Sequence, residues 1–546
     1  MDTTALPVPV GVETHFAPPA SMPSWPSSDG AFAKGAIDLG GLEVRQVSTF
    51  AKVWSTSRDG AGATFFRPSP IPAGFSALGH YAQRNDRPLF GHVLVARDTT
   101  SHDTAAPILA PPRDYTLVWS SPDGGGCFWL PTAPDGYRPI GVVATATPDK
   151  PPLDAVRCVR ADFTDECEAE APSVWSSGDR VGGGFSAATL RPTVRRVDAR
   201  SVHAGTFLAR SSATPVDASA LACLKNNGAS HTSAMPDLAQ VNAVLAAYSP
   251  LVYLHPDEPY MPSSVAWFFE NGALLHRRQQ APTPVVDAGG SNLPQGGDND
   301  GSFWLDLPAG GEQRERVKKG DLAGARAYVQ VKPMLGGTAT DLTMWFFYPF
   351  NGPARARVAF ATLPLGGIGS HVGDWEHLTL RVSNFSGELL RVYFSQHSAG
   401  VWVDAPRLEY VAGGGGRRPV AYASLHGHAF YPRAGLELQG SAVVGIRNDS
   451  AKGSMFDTGG PGRCEVVSAE YLGVAEPAWV GFMRPWGPTE VYAIGRVING
   501  VARFLPRAMR DRLERLVRKV FVGDGATGPK KHGSWVNDER DPPTEG

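Results

Sequence analysis

The amino-acid sequence predicts a mainly β protein, in which an N-terminal β-prism-like domain of three repeats precedes an antiparallel β-sandwich domain and a C-terminal amphipathic helix. The composition supports this class, because 62 glycines, 47 prolines and only 19% charged residues suit short strands and tight turns better than long helices. The tripeptide Val-Trp-Ser recurs at residues 53–55, 118–120 and 174–176. A length of 546 residues exceeds what one hydrophobic core usually organises, so we expect two domains.

The start of the chain predicts a disordered lead over residues 1–30. This segment is rich in proline and lacks the basic start and apolar stretch of a secretory signal. The five cysteines have no CxxC spacing and fit reduced thiols in the cytosol. No apolar run approaches the roughly 20 residues that cross a bilayer, and a formal net charge of −2 gives no electrostatic case for a nucleic-acid partner. We therefore expect a cytoplasmic protein that is neither secreted nor membrane-spanning.

Residues 31–215 form the predicted three-repeat domain. Each repeat begins at a tryptophan, Trp54, Trp119 or Trp175, and ends in a segment with the alternation of a strand, as at 93–98. One small sheet cannot bury its apolar face alone, so three sheets should pack around a common axis. The three tryptophans should then occupy equivalent, largely buried positions.

Residues 236–495 form the predicted sandwich domain, which follows a Ser/Thr/Ala-rich link around 211–219. A short helix opens it, because apolar residues recur at helical spacing on one face: Leu238, Val241, Val244 and Leu245. Strands and loops then continue to about residue 495, a pattern typical of an antiparallel sandwich.

The segment from Ser370 to His377 reads SHVGDWEH and carries the densest chemistry. On a strand, Asp374 and Glu376 share one face, so two carboxylates sit at the mouth of an apolar interior. A hard cation such as Ca²⁺ or Mg²⁺ relieves the repulsion between such groups, and His371 can complete the ligand set. The alternative is a structural pairing of these carboxylates with arginines such as Arg381.

A second polar cluster reads SLHGH from Ser424 and would place His426 and His428 on one strand face. His397 could line the same pocket. The alternative is that these are ordinary hydrogen-bonded strand histidines. The chain contains no GxSxG elbow, HExxH motif or Walker loop, so the common enzyme signatures are absent from the sequence.

Residues 496–546 predict a basic amphipathic helix and a flexible tail. Pro506 opens a helix that runs to about residue 522, with apolar residues at helical spacing. Its basic residues are expected to contact an anionic membrane: Arg507, Arg510, Arg515, Arg518 and Lys519. The alternative is a helix packed on the body of the protein with solvated arginines.

Four strings of the sequence carry a resemblance to a known family: FSALGHY at 75–81, PRDYTLVW at 112–119, LVYLHPDE at 251–258 and MPSSV at 261–265. On these strings the chain resembles the plant proteins of the vacuolar protein sorting-associated protein 62 family, over nearly all of 40–540. The resemblance implies a link to protein trafficking, with trafficking proteins as partners, and no particular chemistry.

The sandwich domain also resembles the necrosis-inducing cytolysins, on His371, Asp374, Trp375 and Glu376. In that family a short His-Asp-Trp-Glu signature binds a divalent cation and contacts sphingolipid headgroups. Asn351 falls where the family carries an acidic ligand, and Gly373 stands in place of a second histidine. The resemblance therefore implies a site made of Asn351, His371, Asp374 and Glu376, in which the affinity for the cation is weakened or lost.

These observations support a leading hypothesis and two alternatives. The leading one is a non-enzymatic peripheral protein that binds lipid headgroups or glycans in endomembrane or vacuolar sorting, with help from Ca²⁺ or Mg²⁺. The first alternative is a metal-dependent hydrolase in which Asp374 or Glu376 activates a cation-bound water and His371 or His426 carries the proton. The second is an interaction scaffold without a small-molecule site.

Overall fold

The computed structural model describes residues 13–539 apart from 57–61, 101–105, 178–183, 398, 412–416, 522 and 524. Its strands and antiparallel sheets confirm the predicted mainly β class. Only residues 13–30 of the expected disordered lead fall within the described part. They lie extended against the body, where the ring of Phe16 meets Phe90 at 5.5 Å and the indole of Trp25 donates to Ser386 O at 2.9 Å.

The N-terminal domain contains three consecutive groups of short strands. The first group is β1 Ala36–Asp38, β2 Leu42–Val47, β3 Phe50–Ser55, β4 Ala63–Pro68, β5 Ser76–Ala77, β6 Tyr81–Arg84 and β7 Val93–Asp98. The second is β8 Leu109–Ala110, β9 Asp114–Ser120, β10 Cys127–Thr132, β11 Tyr137–Arg138, β12 Val143–Thr145 and β13 Cys158–Arg160. The third is β14 Thr164–Asp165, β15 Cys167–Ala169, β16 Trp175–Ser176, β17 Phe185–Pro192, β18 Ser201–Val202, β19 Phe207–Ser211 and β20 Cys223–Lys225.

Each group folds into a pair of small sheets, so three similar units surround one axis. One sheet of each pair has the order β1-β2-β7-β5, β11-β13-β8 or β14-β20-β18, and these three sheets share one apolar core. The other sheets are β3-β4-β6, β12-β10-β9 and the group of β15, β16, β17 and β19, which share a second core. The third unit ends beyond the expected limit of residue 215, because β20 pairs with β14 and β18.

Aromatic side chains from all three units fill the axis. The ring centroids of Trp54, Trp119 and Trp175 lie 6.0, 6.2 and 6.5 Å apart in edge-to-face contacts. A second layer follows, in which Phe128 lies 4.6 Å from Phe65 and 4.7 Å from Phe185. The tryptophans therefore occupy equivalent positions, as predicted, with Trp119 buried and the other two half-buried.

The second domain begins with helix α1, which the sequence predicted. Its elements in chain order are α1 Leu238–Tyr248, β21 Leu251–Tyr253, α2 Val265–Glu270, β22 Leu274–Arg277, β23 Thr283–Pro284, β24 Phe303–Asp306, α3 Gly311–Lys318, β25 Ala327–Met334, β26 Ala339–Asn351, β27 Arg355–Val358, β28 Ala361–Pro364, β29 His371–Ser383, β30 Leu389–Gln396, β31 Ala399–Asp404, β32 Val420–Ala423, β33 Phe430–Tyr431, β34 Gly435–Gly440, β35 Val444–Ser450, β36 Met455–Asp457, β37 Cys464–Ser468, α4 Ile494–Val501 and α5 Arg507–Val520. Asp237 caps α1 by accepting from the Gln240 amide, which satisfies a donor at the helix start.

A six-stranded sheet of order β31-β30-β29-β26-β25-β37 forms the centre of this domain. The four-stranded sheet β33-β32-β21-β36 and helix α1 cover one face through a shared apolar core. The pairings are antiparallel except β21 with β32 and β25 with β37, which are parallel. The sandwich of the sequence analysis is therefore present, with two parallel pairings added.

The other face of the central sheet receives the end of the described chain. Arg381 donates to Asp341 at 2.7 Å and to Asp538 at 2.6 Å, and all three side chains are buried or nearly so. Next to them, His377 Nε2 lies 3.0 Å from Glu539. The expected flexible tail is therefore docked over 529–539, because buried cations on the sheet need the carboxylates that this segment supplies.

The basic helix packs on the body, as the alternative interpretation proposed. Leu513 and Val517 of α5 are fully buried against α4 and against a four-stranded sheet of order β28-β27-β35-β34. The basic side chains Arg507, Arg515, Arg518 and Lys519 remain exposed, and Arg510 is half-buried. Across the described residues, none of the helices combines the length and apolar composition that a membrane span requires.

The axial tryptophans predict a measurable coupling between repeats. Trp119→Ala should lower the free energy of unfolding by about 3 kcal/mol, because it opens a cavity beside four aromatic rings. A double-mutant cycle of Trp54→Ala with Trp119→Ala, followed by urea unfolding, should give a coupling of about 1 kcal/mol. Strictly additive losses would argue against a shared aromatic stack.

Candidate functional site

The predicted site lies where β26 and β29 end beside each other. In this antiparallel pair Tyr348 is opposite Asp374 and Asn351 is opposite His371. Between them, Gly373 adopts φ +66°, a conformation that other residues rarely take. A Cβ on Gly373 would also lie 2.7 Å from the Trp486 carbonyl, so only glycine fits here.

The turn of the backbone at Gly373 changes which side chains share a face. Before it, Tyr348 joins the core on one side of the sheet while Trp375 joins the core on the other. Beyond it, Val372 and Phe350 pack with Trp375 rather than with Tyr348. Asn351 and His371 are therefore returned to the face that carries Asp374 and Glu376, which brings the four predicted ligands to one side.

Asp374 is held by a buried histidine rather than by an arginine. His428 Nδ1 donates to Asp374 Oδ2 at 2.9 Å, and its Nε2 lies 3.7 Å from Glu258 Oε1. The imidazole is fully buried and stacks on the Tyr348 ring at 3.8 Å between centroids, 4° from parallel. We call Glu258, His428 and Asp374 the charge relay. It places one cation between two carboxylates.

The charges of the relay stabilise each other. Burial opposes a charge on His428, but the hydrogen bond to Asp374 and the nearby Glu258 outweigh burial and raise the pKa of His428 to about 9. Burial also opposes a charge on Glu258. The contact with His428 and two backbone N–H donors, from His426 and Tyr260, nevertheless lower the pKa of Glu258. At neutral pH the relay thus contains an imidazolium and an ionised Glu258.

Glu376 lies two residues after Asp374 on β29, and its pKa shifts in the opposite direction to that of Glu258. Burial raises the pKa of Glu376 well above its usual range, and the negative charge of Asp374 raises it further. The hydroxyl of Ser395 donates to this carboxyl group. The surroundings of Glu376 therefore favour its protonated form and oppose two full negative charges on this pair of carboxyl groups.

A rim of polar side chains surrounds the relay. His371 and His426 are half-buried, and each places Nδ1 on a backbone carbonyl, at 2.7 and 2.8 Å. His397 is exposed at this rim, and its Nε2 forms a hydrogen bond of 3.0 Å with Asn448 Oδ1. A Cβ built on Gly427 would lie 3.7 Å from the His397 ring and 4.0 Å from Asn351 Oδ1. The missing side chain of Gly427 thus leaves a notch between these two groups.

Two sequence interpretations need correction. His426 and His428 do not share a strand face, because residues 425–427 form a turn and both histidines take positive φ, 70° and 54°. His426 consequently faces the rim while His428 enters the core. Arg381 does not pair with Asp374 or Glu376, because it projects from the opposite face of β29 toward Asp341 and Asp538.

The sequence analysis missed Glu258, Tyr348 and Ser395. Glu258 lies at the end of the string LVYLHPDE, which the sequence analysis used only for resemblance. Tyr348 has a buried hydroxyl without a hydrogen bond in the described structure. Burial raises the pKa of Tyr348 well above its usual range, so its hydroxyl stays neutral.

The predicted cation ligands share a face, but their polar groups already have different hydrogen-bond partners. Asn351 donates its amide N–H groups to the carbonyls of Gly352 and Gly369, which leaves Oδ1 directed toward the notch. Asp374 is bound by His428, and Glu376 by Ser395. Within the described ranges, no three His, Cys, Asp or Glu side chains converge as metal ligands. The cation site stays a prediction.

The charge relay predicts how stability depends on pH. His428 titrates at about 6.5 in an unfolded chain and at about 9 in the folded protein. The folded state therefore binds more protons in that window. The contribution of His428 to the free energy of unfolding should be complete below about pH 6.5. It should be lost as the pH rises through 9, a decrease of up to about 3 kcal/mol. Glu376, with a raised pKa, contributes with the same sign from about pH 4.3 upward.

Urea unfolding at about pH 6 and about pH 9 measures this loss. His428→Gln should reduce the dependence across that window, and Glu376→Gln should reduce it as well, because the amide stays neutral and no longer titrates. A His428→Gln protein that keeps the full dependence would contradict the relay.

Similar solved structures cover part of the chain. GNIP1Aa from Chromobacterium piscinae matches 38% of this chain at 20% identity with a TM-score of 0.29, and the match spans 40% of its own length. Necrosis and Ethylene inducing Protein 2, from the causal agent of cocoa's Witches Broom disease, matches 35% at 15% identity, over 67% of its length, with a TM-score of 0.19. NLPPya in complex with glucosamine matches 46% at 13% identity, over 78% of its length, with a TM-score of 0.22.

A comparison with curated proteins gives no match. The family model described as vacuolar protein sorting-associated protein 62, in contrast, matches residues 12–539. This range includes both β domains, the charge relay, the basic helix and the docked C-terminal segment. The chain therefore belongs to the vacuolar protein sorting-associated protein 62 family.

Proposed function

We propose that this chain is a non-enzymatic peripheral membrane protein that binds lipid headgroups or glycans at the rim of the charge relay. The single observation that supports this function is the buried Glu258–His428–Asp374 arrangement beneath a polar rim. The family description supports a place in vacuolar protein sorting. We further propose a cytoplasmic location on endomembranes or the vacuole, with trafficking proteins as partners.

The rim has the groups that a hydroxyl-rich ligand requires. Asn351 Oδ1 and the Asp374 carboxylate offer acceptors, and the imidazoles of His371, His397 and His426 offer donors or acceptors. The relay fixes Asp374 through His428, so a ligand does not have to order that carboxylate on binding. Such prepared polar groups favour binding of a sugar or an inositol-like headgroup.

The same geometry argues against the metal-dependent hydrolase. A general base must be ionised and able to reach its water. Burial and the charge of Asp374 favour the protonated form of Glu376, and its carboxyl group accepts a hydrogen bond from Ser395. Asp374 is ionically paired with His428, which already supplies the local positive charge. Both carboxyl groups are therefore engaged by neighbouring side chains rather than left free to activate a water.

The basic face of α5 supplies a second contact with a membrane. Arg507, Arg515, Arg518 and Lys519 are exposed, with the Arg507 side chain at 88%. Basic groups near an anionic leaflet gain about 1 kcal/mol each. We propose that these residues and Arg510 hold the protein at the surface while the rim selects the headgroup.

We also propose that Asn351, His371, Asp374 and Glu376 can bind Ca²⁺ or Mg²⁺. Oxygen groups of this kind suit hard cations. Because a protonated His428 binds Asp374 and the surroundings of Glu376 favour its protonated form, a cation at these ligands competes with the protons of His428 and Glu376. Cation affinity should therefore increase with pH.

Ligand binding at the rim predicts a strong effect of Gly427→Ala. The new methyl group would occupy the notch beside Asn351 and His397 at ordinary contact distances, so the fold should persist. Calorimetry with glucosamine as probe should show at least a tenfold loss of affinity, about 1.4 kcal/mol. Gly367→Ala is the matched control, because a Cβ there meets nothing within 4 Å. Equal affinities of both variants and wild type would remove the rim from the proposal.

Cation binding predicts a different pattern in calorimetry with CaCl₂ and MgCl₂. Wild type should bind more tightly at about pH 8.5 than at about pH 6, with proton release. Asp374→Asn should abolish the heat, since it removes one ligand charge. Identical heats from wild type and Asp374→Asn would refute the cation site while leaving the glucosamine result intact.

A further inference from the structure

Phe360, Val443 and Phe504 are among the large apolar side chains that stand exposed in the second domain, and all three lie on turns. Phe360 is 100% exposed, Phe504 is 64% exposed and Val443 is 46% exposed. Phe360 lies in the turn between β27 and β28, Val443 in the turn between β34 and β35, and Phe504 between α4 and α5. Exposed apolar groups on turn after turn of one unit indicate a contact surface.

The two strand turns are direct neighbours. The amide of Ala359 donates to the Val443 carbonyl at 2.7 Å, so the tips of both hairpins lie side by side. Val358 pairs with Val444 in the ladder just behind them. Phe360 and Val443 therefore project from one end of the four-stranded sheet.

The helix turn lies at the same end. Val497 of α4 approaches Gly366, and Phe521 after α5 approaches Gly369, which places the far ends of both helices away from the hairpin tips. Helix α5 has 14 residues and so extends about 21 Å from Phe521 toward the tips. Arg512, the sixth residue of α5, donates to Ser441 Oγ in the second hairpin turn at 3.1 Å, so the helix begins beyond this turn. Three turns from three parts of the chain thus lie toward one end of this unit, and we call their exposed side chains, Phe360, Val443 and Phe504, the apolar tip.

Positive charge surrounds the apolar tip. Residues 494–520 contain eight basic and only two acidic residues. Both acidic residues are already paired within α5, Asp511 with Arg507 and Glu514 with Arg518. Arg503 and Arg507 flank Phe504 in sequence and are exposed, while Arg357 donates to the Ala359 carbonyl at the hairpin turn.

We propose that this apolar tip inserts into an anionic lipid bilayer, with Phe360 and Phe504 below the headgroups and the arginines at phosphate level. Separate protrusions suit a deformable surface better than a folded partner, which would need one continuous patch. The buried core of Leu513, Val517 and Val358 holds the three turns rigidly, so little order is lost on insertion. The inference rests on the proposed peripheral membrane function and assigns its insertion site and lipid class.

Flotation of the full chain with phosphatidylserine-containing vesicles tests the insertion. Wild type should float, and phosphatidylcholine vesicles alone should retain at least tenfold less protein. The double substitution Phe360→Ser and Phe504→Ser should reduce binding at least tenfold at unchanged thermal stability, because both side chains are exposed. The matched control is Val286→Ser with Leu153→Ser, which removes apolar groups that are exposed elsewhere, at 67% and 49%. The control should float like wild type.

Two results of the flotation experiment would contradict the proposal. Wild-type flotation by the Phe360→Ser and Phe504→Ser protein would overturn insertion by the apolar tip. Equal binding to both vesicle types would overturn the assigned lipid class. Soluble glucosamine titration separates this inference from the proposed headgroup site, because it needs no bilayer. Loss of flotation with intact glucosamine binding supports the tip, whereas failure of glucosamine binding alone counts only against the rim.

Discussion

The long antiparallel pairing of β26 with β29 is the constraint on which the rest of the second domain depends. Its register fixes the two faces of β29, so Asp374 and Glu376 meet one core while His377 and Arg381 meet the other. A shift by one residue would exchange every side chain between the faces. The polar rim and the docking of the C-terminal segment are therefore set by the same strand, from opposite sides.

Backbone conformations that most residues avoid shape the site on this frame. Gly373 reverses the alternation of β29 at its start, and the positive φ of His426 and His428 sends neighbouring imidazoles in different directions. Such conformations cost free energy and persist because the surroundings hold them. Here the burial of His428 between two carboxylates supplies that restraint. Charge balance and backbone strain at the site are thus two aspects of one arrangement.

The sequence predicted the parts of this structure that depend on local pattern. Repeated tryptophans revealed the three units, and the alternation after His371 revealed β29. Partners that are distant in sequence escaped prediction. Glu258 and His428 meet only because β21 pairs with β32, and no local periodicity encodes that pairing. The docked tail escaped for the same reason, since its composition resembles that of a solvated terminus until the buried Arg381 is known.

The docking of residues 529–539 has a consequence for the order in which the chain matures. The three-unit domain is made before the central sheet, and its aromatic stack uses only residues before 226. The central sheet, in contrast, is made before the segment that covers its second face. Asp538, Glu539 and the carbonyl of Ser534 are made after the residues they pair with, which are Arg381, His377 and Lys332 respectively. The second face of the central sheet is therefore completed only after residues 529–539 have been made.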